Sequence, residues 1–158
     1  YYVSMAHNSG KNVSLEKSLK KLKIILEDKS IKKIGQNIKY DIIVLKKYGI
    51  QINPFEDTML LSYTLDAGLN RHNLDLLSEI HLGHKTIQYK DLVGSGKKKL
   101  NFNEVDINKA TEYAAEDADV TFRLYKYFKT RLDEDKLNSI YENFEKPLIY
   151  LFLQGGVR

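Results

Sequence analysis

The chain has 158 residues, 42% hydrophobic and 29% charged, which is the balance of a globular protein with one domain and a core of its own. It contains no cysteine, which excludes a disulfide framework, a thiolate zinc site and a thiol nucleophile, and fits a cytoplasmic protein. A formal charge of +4, from 25 basic and 21 acidic residues, permits a polyanionic partner without demanding one, and no apolar run approaches the ~18–20 residues that span a bilayer.

Residues 1–6 open with aromatic and β-branched residues and predict a strand, followed by turn chemistry at His7-Asn-Ser-Gly10. From Ser14, a plausible N-cap, Leu15, Leu19, Leu22, Ile25 and Leu26 recur at helical spacing with lysines opposite. Residues 31–35 read as a short buried strand. Residues 37–48 read as a helix with Ile42, Ile43, Leu45 and Tyr48 inward and Gly49 at its end. Another short strand ends at Asp57, and helices are expected over 58–65 and 73–82, the second closed by Gly83. Residues 85–103, with two glycines and three consecutive lysines, read as a long mobile loop. Asp106 caps a long helix to about Arg131, and a last helix covers roughly 137–153. Alternating short strands and helices give an α/β fold.

Two acidic segments could carry chemistry. In Glu112-Tyr-Ala-Ala-Glu-Asp-Ala-Asp119, Tyr113 and Asp117 lie four apart and share a helical face, and the alanines let that face approach a sheet. Taken alone, the segment also reads as a solvated helix with Glu116 and Asp119 in water. Gly35-Gln-Asn-Ile-Lys-Tyr-Asp41 puts Asp41 near the carboxyl end of a strand, where open α/β sheets bind ligands. Its plainer reading is that Asn37 caps the helix and Asp41 complements the helix dipole. Gly94-Ser-Gly-Lys-Lys-Lys99 lacks the spacing of a phosphate loop, and His7, His72, His81 and His84 form no metal pattern.

Together, GQNIKYD at 35–41 and YAAEDAD at 113–119 resemble the second and third exonuclease motifs of family A DNA polymerases. Phe55-Glu-Asp-Thr-Met-Leu-Leu-Ser-Tyr63, Asn70-Arg-His-Asn-Leu-Asp-Leu-Leu77 and Lys85-Thr-Ile-Gln-Tyr89 extend the similarity in the same order. The resemblance implies a ribonuclease-H-like exonuclease fold, a mixed sheet flanked by helices. It also implies proofreading 3′→5′ hydrolysis of a single-stranded DNA 3′ end with two Mg²⁺ or Mn²⁺ ions. By the same resemblance, Asp117 and Asp41 would hold the metals and Tyr113 would orient the attacking water. Gln36, Asn37, Tyr40 and Arg71 would contact the frayed end, and Tyr89 would stack on a base. A surface salt bridge for Arg71, and packing under the loop for Tyr89, are the structural alternatives.

The family opens with a strand bearing Asp-x-Glu, and that motif occurs nowhere in this sequence. Together with a start at Tyr1 rather than Met, this makes the chain read as a piece lacking its first strands. Residues 1–145 are then the exonuclease-like domain, and 146–158 begin the connection to a polymerase domain. The expected consequences are an incomplete sheet, self-association through unpaired strands, and little nuclease activity from this chain alone. The alternatives are a non-catalytic structural domain of a family A polymerase and an RNA-processing 3′ exonuclease of the same superfamily.

Overall fold

The computed structural model describes the backbone of residues 2–155 and their side chains apart from Lys97 and positions 152–155. Tyr1 and residues 156–158 lie outside the described residues. Helix α1 (Leu15–Glu27) starts at Ser14, whose hydroxyl accepts from Lys17 N at 3.4 Å. Strand β1 (Lys33–Gly35), helix α2 (Lys39–Lys46) and strand β2 (Phe55–Asp57) form a βαβ unit, with the strands parallel and Lys33, Ile34 and Gly35 opposite Phe55, Glu56 and Asp57. The start of the pair is held by the buried ammonium of Lys33, which donates to the carbonyls of Asp28, Ile31 and Asn53 at 2.7 Å each.

Helix α3 (Thr58–Asp66) leaves β2 without a loop, and α4 (Leu74–Leu82) ends at Gly83, whose φ of +61° is the left-handed conformation glycine adopts freely. Short α5 (Tyr89–Val93) precedes the long α6 (Ile107–Glu134), where the Asp106 carboxylate accepts from Asn108 N and Lys109 N at 3.0 and 3.2 Å. The described residues finish in α7 (Asn138–Ile140), a π-turn over Tyr141–Glu145 and α8 (Lys146–Gly155). Pro147 has no N–H to offer the preceding turn, which suits a local change of helix pitch there.

The main core is built along α6, where Val120, Leu124, Phe128 and Leu132 recur every fourth residue and pack with Leu61, Leu77 and Tyr141. Ile38, Ile42, Ile52, Phe55 and Ile149 form a second cluster between α2, β2 and α8. Val93, Val105 and Ala110 form a third, under Tyr2 and Phe102.

Four sequence expectations need correction. Residues 2–6 are not a strand: neither β1 nor β2 lies alongside, and their backbone serves loops, with Val13 N on Ser4 O and, just beyond, Asn8 N on Asn103 O, both at 2.8 Å. Helix α2 begins two residues later than expected and packs on one side only, so Ile42 is buried while Ile43 and Tyr48 face outward. Residues 85–103 are not an open loop: they contain α5 and two 3₁₀ turns, held because Val93 is buried and Phe102 packs inward. The last helix is interrupted by the π-turn. Among the described residues the sheet consists of the single parallel pair.

Tyr141 joins the last helices to the sheet. Its hydroxyl donates to Glu56 Oε2 at 2.8 Å and accepts from Asp57 N at 3.3 Å, and Lys32 and Lys146 stand 3.3 and 3.4 Å from Glu56 Oε1. Tyr141→Phe removes both bonds and leaves a buried carboxylate short of a donor. The expected loss is about 1–3 kcal/mol in urea denaturation, with an unchanged m-value.

Candidate active site

The site begins with a buried carboxylate at the end of β2. Asp57, 2% exposed, accepts from Asn37 N and Ile38 N at 3.0 Å each, and from Met59 N at 2.9 Å. It thereby caps α3 from within its own chain segment and orders the entry to α2 from the neighbouring strand. Asn37 takes the left-handed conformation, φ +56°, to make that turn. The first turn of α2 then carries Asp41 toward α6.

Asp41, Tyr113 and Asp117 line one cleft of about 690 Å³, together with Gln36, Asn73, Asp75 and Phe122, and the ends of β1 at Ile34 and Gly35 complete its wall. Three of the lining residues are carboxylates and none is a lysine or arginine. Tyr113 stands beside the Asp117 carboxylate, one turn along α6. Burial raises the Asp41 carboxyl above its ordinary value. Burial also raises Asp117, opposed by the Tyr113 hydrogen bond and reinforced by the charges of Asp75 and Glu116. The Tyr113 phenol is pushed far up, first by burial and then by the Asp117 charge, so it keeps its proton at any neutral pH. The cleft is therefore a place where negative charge is concentrated and not compensated by the protein. Its hard oxygen donors suit a divalent cation. Among the described residues, however, no three His, Asp or Glu side chains come together closely enough to hold an ion by themselves.

The other predicted residues divide. Gln36 lines the cleft, but its carboxamide is engaged, donating to His72 O at 2.8 Å and accepting from the Thr58 hydroxyl. Asn37 and Arg71 line a neighbouring cavity of about 950 Å³ whose floor includes Met59, Leu60, Leu148 and Ile149; Asn73 belongs to both spaces. No ion pair is made by Arg71 among the described residues. Tyr40 is 66% exposed beside Asp41. Tyr89, 44% exposed, stacks on Phe102 with centroids 6.2 Å apart and planes at 17°, and lies 6.1 Å from the Tyr113 ring.

The sequence reading missed Asp57, Asp75, Asn73 and Phe102. Asp57 and Asn73 carried a signal, since an Asp or Asn directly before a helical run is an N-cap; Asp75 and Phe102 became visible only through tertiary placement. The four histidines are dispersed: His7 Nε2 meets Val105 O, His72 Nδ1 meets Ser62 Oγ, His84 meets Glu116, and His81 has a buried, unpartnered Nε2.

The profile of the 3′-5′ exonuclease family matches residues 2–133. The chain belongs to that family. It is 48% identical over 159 residues to DNA polymerase I of Rhizobium leguminosarum, covering 94% of this chain and 16% of that protein. With DNA polymerase I of Pseudomonas aeruginosa it shares 41% identity over 155 residues, covering 94% and 17%. The chain thus spans less than a fifth of the length of these polymerases. Brucella melitensis NrnC, solved with bound Mg²⁺ and bound to pGG, has the same fold, with TM-scores of 0.64 and 0.65, 25% identity, and coverage of 94% of this chain and 67% of that one in each. The ribonuclease-H-like α/β exonuclease fold implied by the motifs is the fold of the family. No helix among the described residues is long and apolar enough to cross a membrane.

Raised carboxyls set the sign of a pH prediction. A carboxylate with a folded pKa above its unfolded value disfavours the native state at neutral pH, and that penalty fades as pH falls through the folded value toward about 4. Asp117→Asn is expected to raise the thermal midpoint at pH 7, a gain that shrinks toward zero below about pH 4. Melting curves across pH 4–8 read both.

Proposed function

We propose that the chain is the proofreading 3′→5′ exonuclease domain of a bacterial DNA polymerase I, acting in the cytoplasm on the 3′-terminal phosphodiester of single-stranded or frayed DNA. The observation that carries this reading is the meeting of Asp41 with Tyr113 and Asp117 in one electronegative cleft. Asp117 and Asp41 would hold Mg²⁺ or Mn²⁺, and bound ions would supply activation of the attacking water and stabilisation of the leaving 3′-oxygen. NrnC, which binds Mg²⁺ on the same fold, supports that assignment.

The chain's own residues bind and orient. Tyr113 keeps its proton, so its hydroxyl would orient the attacking water through a hydrogen bond rather than act as a base. Asn37 and Arg71 face the neighbouring cavity, where they would take the sugar and phosphate of the terminal nucleotides. Gln36 would act indirectly, by holding the His72 carbonyl and thus the segment that carries Arg71 and Asn73. Exposed Tyr40 and Tyr89 offer faces on which bases of any identity stack, as proofreading needs. The polymerase domain would follow from residues 146–158, although Ile149 already packs in the second core cluster, so α8 belongs partly to this domain. Self-association through the open strand edges completes the proposal, and a solution mass checks it.

A second reading, an RNA-trimming exonuclease, draws on the NrnC structure with pGG. Parallel assays of the complete parent protein on 3′-labelled DNA and RNA single strands separate the two, and preference for RNA would overturn the polymerase reading. With two carboxylates and no closed ligand set, this chain alone is expected to release negligible mononucleotide with Mn²⁺; robust EDTA-sensitive release would contradict that. In the parent polymerase, Tyr113→Phe is expected to lower kcat about 10²-fold with KM little changed, as for a misaligned reacting group.

A further inference from the structure

Glu116 precedes Asp117 on α6, and the mechanism above gives it no task. Its carboxylate is nevertheless divided between two donors of one segment: Oε1 stands 2.8 Å from His84 Nε2, and Oε2 accepts from Ile87 N at 2.7 Å. The side chain is only 19% exposed, so this is not the solvated helix acid that its surroundings in the sequence suggest. Between those two anchors, Thr86 donates its hydroxyl to Asp75 of α4. The segment runs straight into α5, whose first residue is Tyr89. A helix of five residues cannot fix its own position, because so short a helix barely repays its nucleation. What fixes it is the grip on the residues before it and the rings around it, with Phe102 lying 6.0 Å from Tyr113 and stacked on Tyr89.

One helical turn of α6 therefore presents Tyr113 and Asp117 to the cleft and, through Glu116, holds the segment that presents Tyr89. We propose that Glu116 is a positioning residue, which sets the Tyr89 ring at a fixed place relative to Asp117 so that a base stacked there brings its phosphodiester to the cleft. The inference rests on the reading that Tyr89 stacks on a base. Glu116 touches neither substrate nor reacting atoms in this role. Its charge and hydrogen bonds act through the backbone of Ile87 and the ring of His84, and the effect is on where the DNA end lies.

The test is a fluorescence titration of this chain, in EDTA, with a single-stranded oligonucleotide carrying 2-aminopurine as its 3′-terminal base. The chain is expected to quench the probe, and Tyr89→Ala to weaken binding about 5- to 100-fold, the range of one base–aromatic stack. Glu116→Ala should weaken it about tenfold, Glu116→Gln, which keeps an acceptor for Ile87 N–H, should recover part of that loss, and the Tyr89→Ala/Glu116→Ala double variant should bind no worse than Tyr89→Ala alone. Melting midpoints confirm that each variant is folded, and Glu116→Gln stands in should Glu116→Ala not fold. If Tyr89→Ala weakens binding while Glu116→Ala has no effect, adds independently to it, or is matched by Glu116→Gln, the positioning role is wrong and the stacking reading stands. A chain that does not quench, or a Tyr89→Ala variant that binds as well as the original, overturns the stacking reading and the inference with it.

Discussion

The carboxylate of Asp57 is enclosed at the end of β2 and satisfied almost entirely by backbone N–H groups, those of Asn37, Ile38 and Met59. Burying such a charge unpaired would cost several kcal/mol, and burial does hold its pKa above the ordinary value despite those bonds. Two helix entries converge on it, so their dipoles add to the hydrogen bonds in keeping the charge in place. The geometric consequence reaches the cleft. Because Asp57 decides where the turn after β1 closes and where α2 begins, it decides which way the first turn of α2 points, and hence where Asp41 stands. The same strand is latched on its other side by Tyr141, so the C-terminal helices and the start of α2 answer to adjacent residues of β2.

The cleft is the electrostatic opposite of that arrangement. Around Asp57 the chain supplies donors; among the residues that line the cleft with Asp41, Asp75 and Asp117, none carries a positive charge. Asp75 is drawn off toward Thr86, and Glu116 toward His84 and Ile87, which leaves Asp41 and Asp117 as the carboxylates with capacity to spare. The neighbouring Tyr113 hydroxyl lowers the Asp117 carboxyl only in part, and burial still holds it above its ordinary value. A folded protein tolerates like charges in a partly buried space at a cost to its stability, and a site that binds cations recovers that cost when the cation arrives.

Around this cleft the polar and aromatic parts of the site are spatially sorted. Asn37 and Arg71 open onto a cavity with an apolar floor, while the Tyr89–Phe102–Tyr113 rings border the acidic side. Asn73, the N-cap position of α4, lies on the boundary of both. A DNA end following these surfaces would have its bases against rings and its backbone near Arg71, with the scissile bond passing Asp117.

The sequence by itself determined much of this. Helical periodicity located α1, α3, α4 and α6 to within a few residues, Gly83 and Asp106 marked their ends, and two short motifs singled out Asp41, Tyr113 and Asp117, three residues that line one cleft. Such features are local: they depend on residues within a turn or two of each other, or on side chains too specialised to be placed by chance. Tertiary structure alone decided that residues 2–6 serve loops instead of a ladder, that residues 85–103 fold under Phe102, and that Gln36 is consumed by Thr58 and His72. It also decided that Asp75 and Glu116, in the same acidic neighbourhood as Asp117, hold a loop in place. The bonds of Gln36 and Glu116 span more than twenty residues, and no pattern within a segment can say which donor a carboxylate will meet when the chain has closed.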